Sequence, residues 1–201
     1  MILAVPYNPT LPKGYAKLVA DLNRNGRHPN HALFVVSQEV HQDEAFEFAM
    51  KVKDQFGRYF AVTVPTQNSG MIWTSNRMFL AAMDALKSYI PTPEEMQEPV
   101  MLYYDPTWKI TRPRWLDDFQ AEYYIRGAPV TFGNFRVKGE KARIEGPVAI
   151  NSRFLKITKL IDFLPRDLHW REFLAWEIVN NGLQSEAFGR ISPAYIKPAN
   201  A

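Results

Sequence analysis

The chain of 201 residues contains no cysteine. That excludes disulfides, thiolate metal sites and a cysteine nucleophile, and it suits a reducing compartment. Histidine is scarce too. His28, His31, His41 and His169 are the full set, and their spacing matches no zinc motif such as HExxH. No GxGxxG follows the first apolar run, so the dinucleotide-binding fingerprint is missing. GxxxxGK[ST] is absent, which excludes a P-loop enzyme, and so is GxSxG, which argues against an α/β-hydrolase. No apolar run approaches the length of a membrane span. The opening MILAVPYNP is too short for a signal peptide and lacks a basic flank. A soluble, cytoplasmic protein with no membrane partner is expected. With so few histidines to place, chemistry that relies on carboxylates and a bound phosphate leaving group moves up the list.

What is present is ordinary in bulk. Hydrophobic residues make up 46% and charged residues 22%, which predicts one folded domain with a real core. The net charge of +3 is unevenly spread. Residues 126–160 hold eight basic and two acidic side chains, a local net of +6. Such a stretch either is a solvated basic face or meets a polyanion.

Apolar runs and helical spacing alternate along the chain. Ile2–Val5 reads as a buried strand ended by Pro6. Leu11, Tyr15, Leu18, Val19 and Leu22 predict a helix to Asn25, stopped by Gly26. His31–Val36 predicts a second strand. Asp43 is expected to cap a helix running to about Gln55, closed by Gly57. Tyr59–Val64 predicts a third strand, and Ser75 the cap of a helix with Met78, Phe79, Ala82 and Leu86 inside. A Pro/Glu-rich loop, 91–99, precedes a fourth strand, Val100–Tyr104. Helices at 115–124 and 168–180 flank short strands near 128–132 and 147–150, and the tail from Gly189 reads as irregular.

Strands alternating with helices imply an open, mainly parallel twisted sheet flanked by helices, with a small C-terminal portion. In such sheets ligands bind outside the carboxyl ends of the strands. Three places qualify: Pro6, Tyr7 and Asn8; Ser37, Gln38 and Glu39; and Tyr104, Asp105 and Thr107. Each has a plainer reading as turn or cap. Trp73 reads equally as core or as site wall. Asn76 and Arg77 read as capping residues, or Arg77 as a bidentate phosphate donor.

The segment VMLYYDPTWKITRPRWLDDFQAEY, 100–123, resembles the central stretch of small bacteriophage-type GT-A glycosyltransferases. In that family a strand ends in Glu-Pro-Asp, followed by a Pro-containing turn, Trp-Leu, and a helix with Glu-Tyr. Asp105-Pro106-Thr107, Trp115-Leu116 and Glu122-Tyr123 fall in that order, with Gly133 behind them. Upstream, Trp73, Asn76, Met78, Phe79, Ala81 and Ala82 match a Trp-x-x-Asn-x-Met-Phe-x-Ala-Ala pattern. Downstream, Glu145-Gly146 before Val148-Ala149-Ile150 resembles an Asn-Gly-Val motif, and Ala175-Trp176-Glu177 a later Ala-Trp-Asp.

The resemblance implies a GT-A-like domain over 1–201. Residues 1–107 would bind a nucleotide-sugar and 108–201 would face the acceptor. It implies transfer of a sugar to a hydroxyl, with Asp105 as a ligand for Mn²⁺ or Mg²⁺ and the diphosphate against Asp105 and Thr107. Thr107 stands where the family has its second carboxylate, and a hydroxyl brings no charge to a divalent cation. Three outcomes stay open: a weak metal site, a metal-independent reaction, or an inactive binding protein. A nucleotidyltransferase is a further alternative. An inverting transfer needs a carboxylate base, for which Glu177 and Glu145 are candidates. Phage enzymes of this type imply a modified base in DNA as acceptor. Arg136, Lys138, Lys141, Arg143 and Arg153 would then contact its phosphates.

Overall fold

The computed structural model describes residues 1–66, 70–89, 99–104, 108–138, 141–151, 164, 167–180, 182, 185–187 and 196–198. Its centre is β1 (Ile2–Pro6), paired in parallel with β2 (His28–Gln38) on one side and β4 (Val100–Tyr103) on the other. β3 (Phe56–Val64) pairs in parallel outside β2. Beyond β4 lie β7 (Lys141–Asn151), β6 (Val130–Lys138) and β8 (Ser185–Ala187), giving a seven-stranded order β3-β2-β1-β4-β7-β6-β8. β7 runs antiparallel to both its neighbours, and β8 runs parallel to β6. One strand in seven is therefore reversed, and the sheet is mainly parallel, as the alternating pattern predicts. β5 (Trp108–Ile110) and β9 (Ile196–Pro198) form a separate antiparallel pair.

Helices cover both faces. α1 (Pro12–Asn25), α2 (Gln42–Met50) and α4 (Trp115–Arg126) pack with the side chains of Leu3, Val5, Leu33, Val35 and Leu102. α3 (Gly70–Ser88) and α5 (Trp170–Asn180) pack with Ile2, Ala4, Phe34, Val36, Met101 and Tyr103. Alternate residues of β1 thus enter opposite cores, as the two-residue period of a strand requires. The second core is centred on Trp170, whose ring stacks on Phe79 at 4.1 Å and meets Tyr103 edge-on at 5.3 Å. Truncating a ring of this kind to Ala costs about 3–5 kcal/mol.

Local chemistry accounts for the helix ends. α1 starts on Pro12, whose fixed φ suits a first turn, and ends at Gly26 with φ +87°. α4 carries Asp117 and Asp118 in its first turn and ends at Gly127 with φ +69°, whose N–H donates to Tyr123 O at 3.1 Å.

Three sequence expectations fail here. Asp43 lies in the first turn of α2 rather than capping it, and that helix ends at Met50. Gly57 belongs to β3, because a Cβ there would run into the Pro29 carbonyl of the adjacent strand. Ser75 lies inside α3, which begins five residues earlier. The strands near 128–132 and 147–150 are also much longer than their apolar cores. The expected loop 91–98 and most of the tail from Gly189 lie outside the described residues.

At the amino-terminal end of β2, His28 is 1% exposed and neither ring nitrogen has a hydrogen-bond partner among the described residues. It packs against Phe56, Trp115 and His31, and His31 Nε2 lies 2.8 Å from Asp117 Oδ1. Burial, with a smaller push from His31 and against the pull of Asp117, lowers its pKa from 6.5 to about 4. The unfolded chain takes up this proton near 6.5 and the folded chain only near 4, so unfolding is favoured as the pH falls between those values. Urea midpoints should therefore stay level above about pH 6.5 and fall below it. His28→Leu should flatten part of that fall, and an unchanged slope in the variant would contradict this reading.

Candidate functional site at the carboxyl ends of β1 and β4

The chain leaves β1 toward β2 through α1, and later returns to the other side of β1 as β4. The strand order reverses there, and in open α/β sheets ligands bind outside the strand ends at such a point. β1 is held to its end along the β2 edge and as far as Ala4 along the β4 edge. Tyr7 N–H donates to Val36 O at 2.7 Å, and Tyr104 N–H donates to Ala4 O at 2.8 Å.

The residues expected at the end of β1 form a tight local network. The Tyr15 hydroxyl donates to Pro6 O and accepts from Asn8 N–H at 2.8 Å. Asn8 Oδ1 accepts from Thr10 N–H at 3.0 Å and from Thr10 Oγ1 at 2.8 Å, a side-chain turn that directs the chain into α1. The half-buried Tyr7 ring lies 4.8 Å from that of Tyr15 and 6.3 Å from that of Phe48. Burial raises the Tyr7 pKa, and the carboxylates of Glu44 and Glu47 add to the shift, so Tyr7 stays a neutral phenol. At the end of β2, Ser37 is buried, Gln38 is the last strand residue and Glu39 is exposed. Glu39 Oε2 accepts from Thr66 N–H at 3.4 Å and Thr66 Oγ1 accepts from Val40 N–H at 3.1 Å, which ties β2 to the chain leaving β3. Arg77 Nη1 donates to Pro65 O at 3.3 Å, so the start of α3 joins the same rim. Trp73, one turn earlier, is half-buried.

The end of β4 differs from the sequence reading. Tyr104 is fully buried, and its hydroxyl donates to Trp108 O at 2.6 Å. It is a core residue that joins β4 to β5 and cannot touch a ligand. Asp105, Pro106 and Thr107 lie outside the described residues. Among the described residues no group of three or more His, Asp or Glu side chains could hold a metal ion.

Trp108, which opens β5, rests on the β6–β7 hairpin. Gly146 has φ +78°, and a Cβ there would lie 2.5–3.1 Å from three atoms of the Trp108 indole. A Cβ on Gly133 would lie 3.2 Å from the same ring and 3.0 Å from Glu145 O. The register shifts at this point, so Gly146 and Pro147 of β7 stand opposite Gly133 alone. Arg171, buried at the start of α5, donates from Nη1 to Gly146 O at 2.6 Å and lies over the Trp170 ring at 4.4 Å. Glu145 pairs with Arg136 at 3.3 Å, and Arg143 with Glu172 at 4.0 Å. Glu177 is half-buried on α5, six residues past Arg171 and so about 9 Å further along the helix axis. Sequence reasoning missed Trp108 and Arg171 because neither sits in an apolar run or a named motif. The available signal was a glycine inside each of two neighbouring strands, Gly133 and Gly146.

Asn76 needs a second correction. It is 0% exposed; Nδ2 donates to Leu168 O at 2.8 Å and Oδ1 accepts from Trp170 N–H at 2.8 Å. It fastens α3 to the start of α5 and is closed to a nucleotide. Beside it, His169 Nδ1 accepts from Arg171 N–H at 3.2 Å, which leaves Nε2 to donate to Ser75 Oγ at 3.1 Å. Burial, then the charges of Arg143 and Arg171, push the His169 pKa down to about 3. It is a neutral structural imidazole, too weakly basic for general-base work.

No family model matches the chain, and no curated protein matches it in sequence. Solved structures do match. Mouse xyloside xylosyltransferase 1 superposes with a TM-score of 0.57 at 11% identity, over 92% of this chain and 83% of that one. The galactosyltransferase LgtC, solved with donor and acceptor sugar analogues, gives 0.55 at 10% identity, over 93% and 73%. The chain has a GT-A-like fold. The mannosyltransferase PcManGT from Pyrobaculum calidifontis, solved with GDP-Man and Mn²⁺, gives 0.58 at 13% identity. The GT-A-like chain spans only 55% of the length of that enzyme. Among its described residues no helix is long and apolar enough to cross a membrane.

Replacing Asn76 by Ala strands a part-buried carbonyl and a buried N–H. A loss of about 2–4 kcal/mol in urea unfolding is expected. A loss under half that would mean the amide does not hold α5.

Proposed function

We propose that the chain is a glycosyltransferase that binds a nucleotide-diphosphate sugar across the carboxyl ends of β1 and β4. One observation carries the reading: the strand order reverses between β1 and β4 in a fold shared with solved sugar transferases. The base and ribose lie over Pro6, Tyr7 and Asn8 and the end of β2, where Ser37, Gln38 and Glu39 offer hydroxyl, amide and carboxylate groups. Tyr7 offers an aromatic edge beside them. Arg77 and Trp73 at the start of α3 face the same rim. The diphosphate lies toward Asp105 and Thr107.

Breaking the glycosidic bond to the nucleotide leaves negative charge on the diphosphate, which fixed dipoles or cations must meet. The described residues offer no carboxylate cage for Mn²⁺ or Mg²⁺. A cation, where bound, would use Asp105 and the phosphate oxygens and would neutralise the leaving group. The acceptor hydroxyl loses its proton to a carboxylate as it attacks the anomeric carbon. Glu145 is the better of the two sequence candidates, because it adjoins Gly146 under Trp108, whereas Glu177 lies further along α5.

Thr107 in place of a second carboxylate favours a second reading, a GT-A-like protein that binds a nucleotide-sugar without turnover. Calorimetry with UDP- and GDP-sugars, with and without Mn²⁺, followed by assay of sugar release, separates the two. The transferase reading expects binding and slow donor hydrolysis. Asp105→Asn should lower turnover at least about tenfold while leaving the melting temperature unchanged. Binding with no hydrolysis, with plausible acceptors present, would leave the binding protein. Pyrophosphate release from a nucleoside triphosphate would indicate a nucleotidyltransferase instead.

The acceptor reading with an observation behind it is DNA. The β6–β7 strands carry Arg136 and Arg143, both substantially exposed, beyond the end of β4. Each already pairs with a carboxylate, which reduces the charge available for phosphates. If DNA is the acceptor, its affinity should fall steeply with salt, with a log–log slope of several units, and Arg136→Ala with Arg143→Ala should make that slope shallower. Salt-independent binding, or none, would remove DNA and leave the transferase.

A further inference from the structure

Trp108 is placed unlike the other large buried rings. Trp115 and Trp170 are sealed in the two cores, whereas Trp108 is half-buried and rests on main chain at the end of the sheet. Two positions beneath it leave little or no room for a side chain. Gly146 is barred by the ring and by its positive φ, and at Gly133 a Cβ would fit only if the ring or Glu145 O gave way by a few tenths of an ångström. The surface under the ring is also clamped from behind, where Arg171 holds the Gly146 carbonyl at 2.6 Å. On the other side, the Trp108 carbonyl is held by the Tyr104 hydroxyl, which anchors it to the end of β4. Trp108 therefore meets the β6–β7 bulge with its ring and the end of β4 with its carbonyl, over main chain that α5 holds through Arg171, and it follows Asp105-Pro106-Thr107 directly in sequence.

We propose that Trp108 is a positioning residue, seated on Gly133 and Gly146, that holds the start of β5 at a fixed place on the acceptor-side hairpin. This rests on the transferase reading and adds to it how the two halves of the site are held in register. In a transfer reaction the acceptor oxygen and the anomeric carbon must approach to near-attack distance, and a misplacement of about 1 Å can cost a hundredfold in rate. Pushing the indole off its seat changes that distance without removing any group that touches donor or acceptor. The loss should therefore fall on kcat more than on KM.

The test uses the full chain, with 5-fluorotryptophan in place of its five tryptophans and Trp108→Phe to assign the Trp108 fluorine resonance. Donor binding and hydrolysis are measured with a panel of UDP- and GDP-sugars plus Mn²⁺, alongside melting temperature. Gly146→Ala is the stronger perturbation. Gly133→Ala needs no left-handed backbone and serves if the first variant does not fold. In the folded variants the Trp108 resonance should shift. Donor hydrolysis should fall about tenfold or more in kcat, with KM held within about threefold. In the Trp108→Phe background, Gly133→Ala should cost less, because the outer indole atoms it would strike are gone. Unchanged kcat with a shifted Trp108 resonance would overturn the inference, as would an equal Gly133→Ala cost in both backgrounds. Either result leaves the transferase reading intact. A wild-type chain that neither binds nor hydrolyses any nucleotide-sugar in the panel would overturn the transferase reading and this inference together.

Discussion

The short strand β1 is the constraint from which the rest of the molecule follows. Residues 2–5 are apolar and buried, so water reaches neither face. Their backbone N–H and C=O groups must then be paired inside the protein, because an orphaned buried group costs about 1–3 kcal/mol. β2 and β4 satisfy them from the two edges, and α1, α2 and α4 on one face and α3 and α5 on the other exclude the solvent. A buried central strand of this kind is the mark of a parallel sheet with helices on both sides. Its neighbours are reached by crossovers in opposite directions, so the place where β1 ends is also where the order reverses. The switch point is a consequence of burying Ile2–Val5, and Pro6, Tyr7 and Asn8 stand beside it for that reason.

The parts of the fold legible in the sequence are those whose signals are local. β1 and β2 show as apolar runs, α1 as a helical stripe ended by Gly26, and α4 as a helix between an acidic first turn and Gly127. The parts that were not legible depend on distant neighbours. Gly57 looks like a helix stop, yet its missing side chain makes room for Pro29 in the neighbouring strand. β6 and β7 read as two short strands, because only their inner ends are continuous apolar runs. Their outer halves alternate beyond β4: Ile144 is buried and Phe135 and Ala142 pack on the second core, while a charged residue such as Arg136, Arg143 or Glu145 interrupts the run at every second place.

The site divides the same way. The strand-end rule locates the rim from sequence, because it needs only the order of strands and helices. Individual roles at that rim depend on long-range contacts. Asn76 has the composition of a ligand-binding residue, but its amide is used by Leu168 and Trp170, more than 90 residues away in sequence. Tyr104 sits at a strand end and still points into the core. Trp108, Gly133, Gly146 and Arg171 come from four separate segments, and only the sheet order brings them together. These contacts make the carboxyl end of the sheet stiff where β4, β5 and the β6–β7 bulge meet, which suits a transfer reaction that depends on fixed distances.

The central claim is that a nucleotide-sugar binds where β1 and β4 part. The most direct test is a crystal structure of the chain soaked with UDP or GDP and Mn²⁺. The account predicts density for the nucleotide along Tyr7, Asn8 and Ser37–Glu39, with its diphosphate directed at Asp105. A nucleotide bound elsewhere on the protein, with the ends of β1 and β4 left empty, would contradict it.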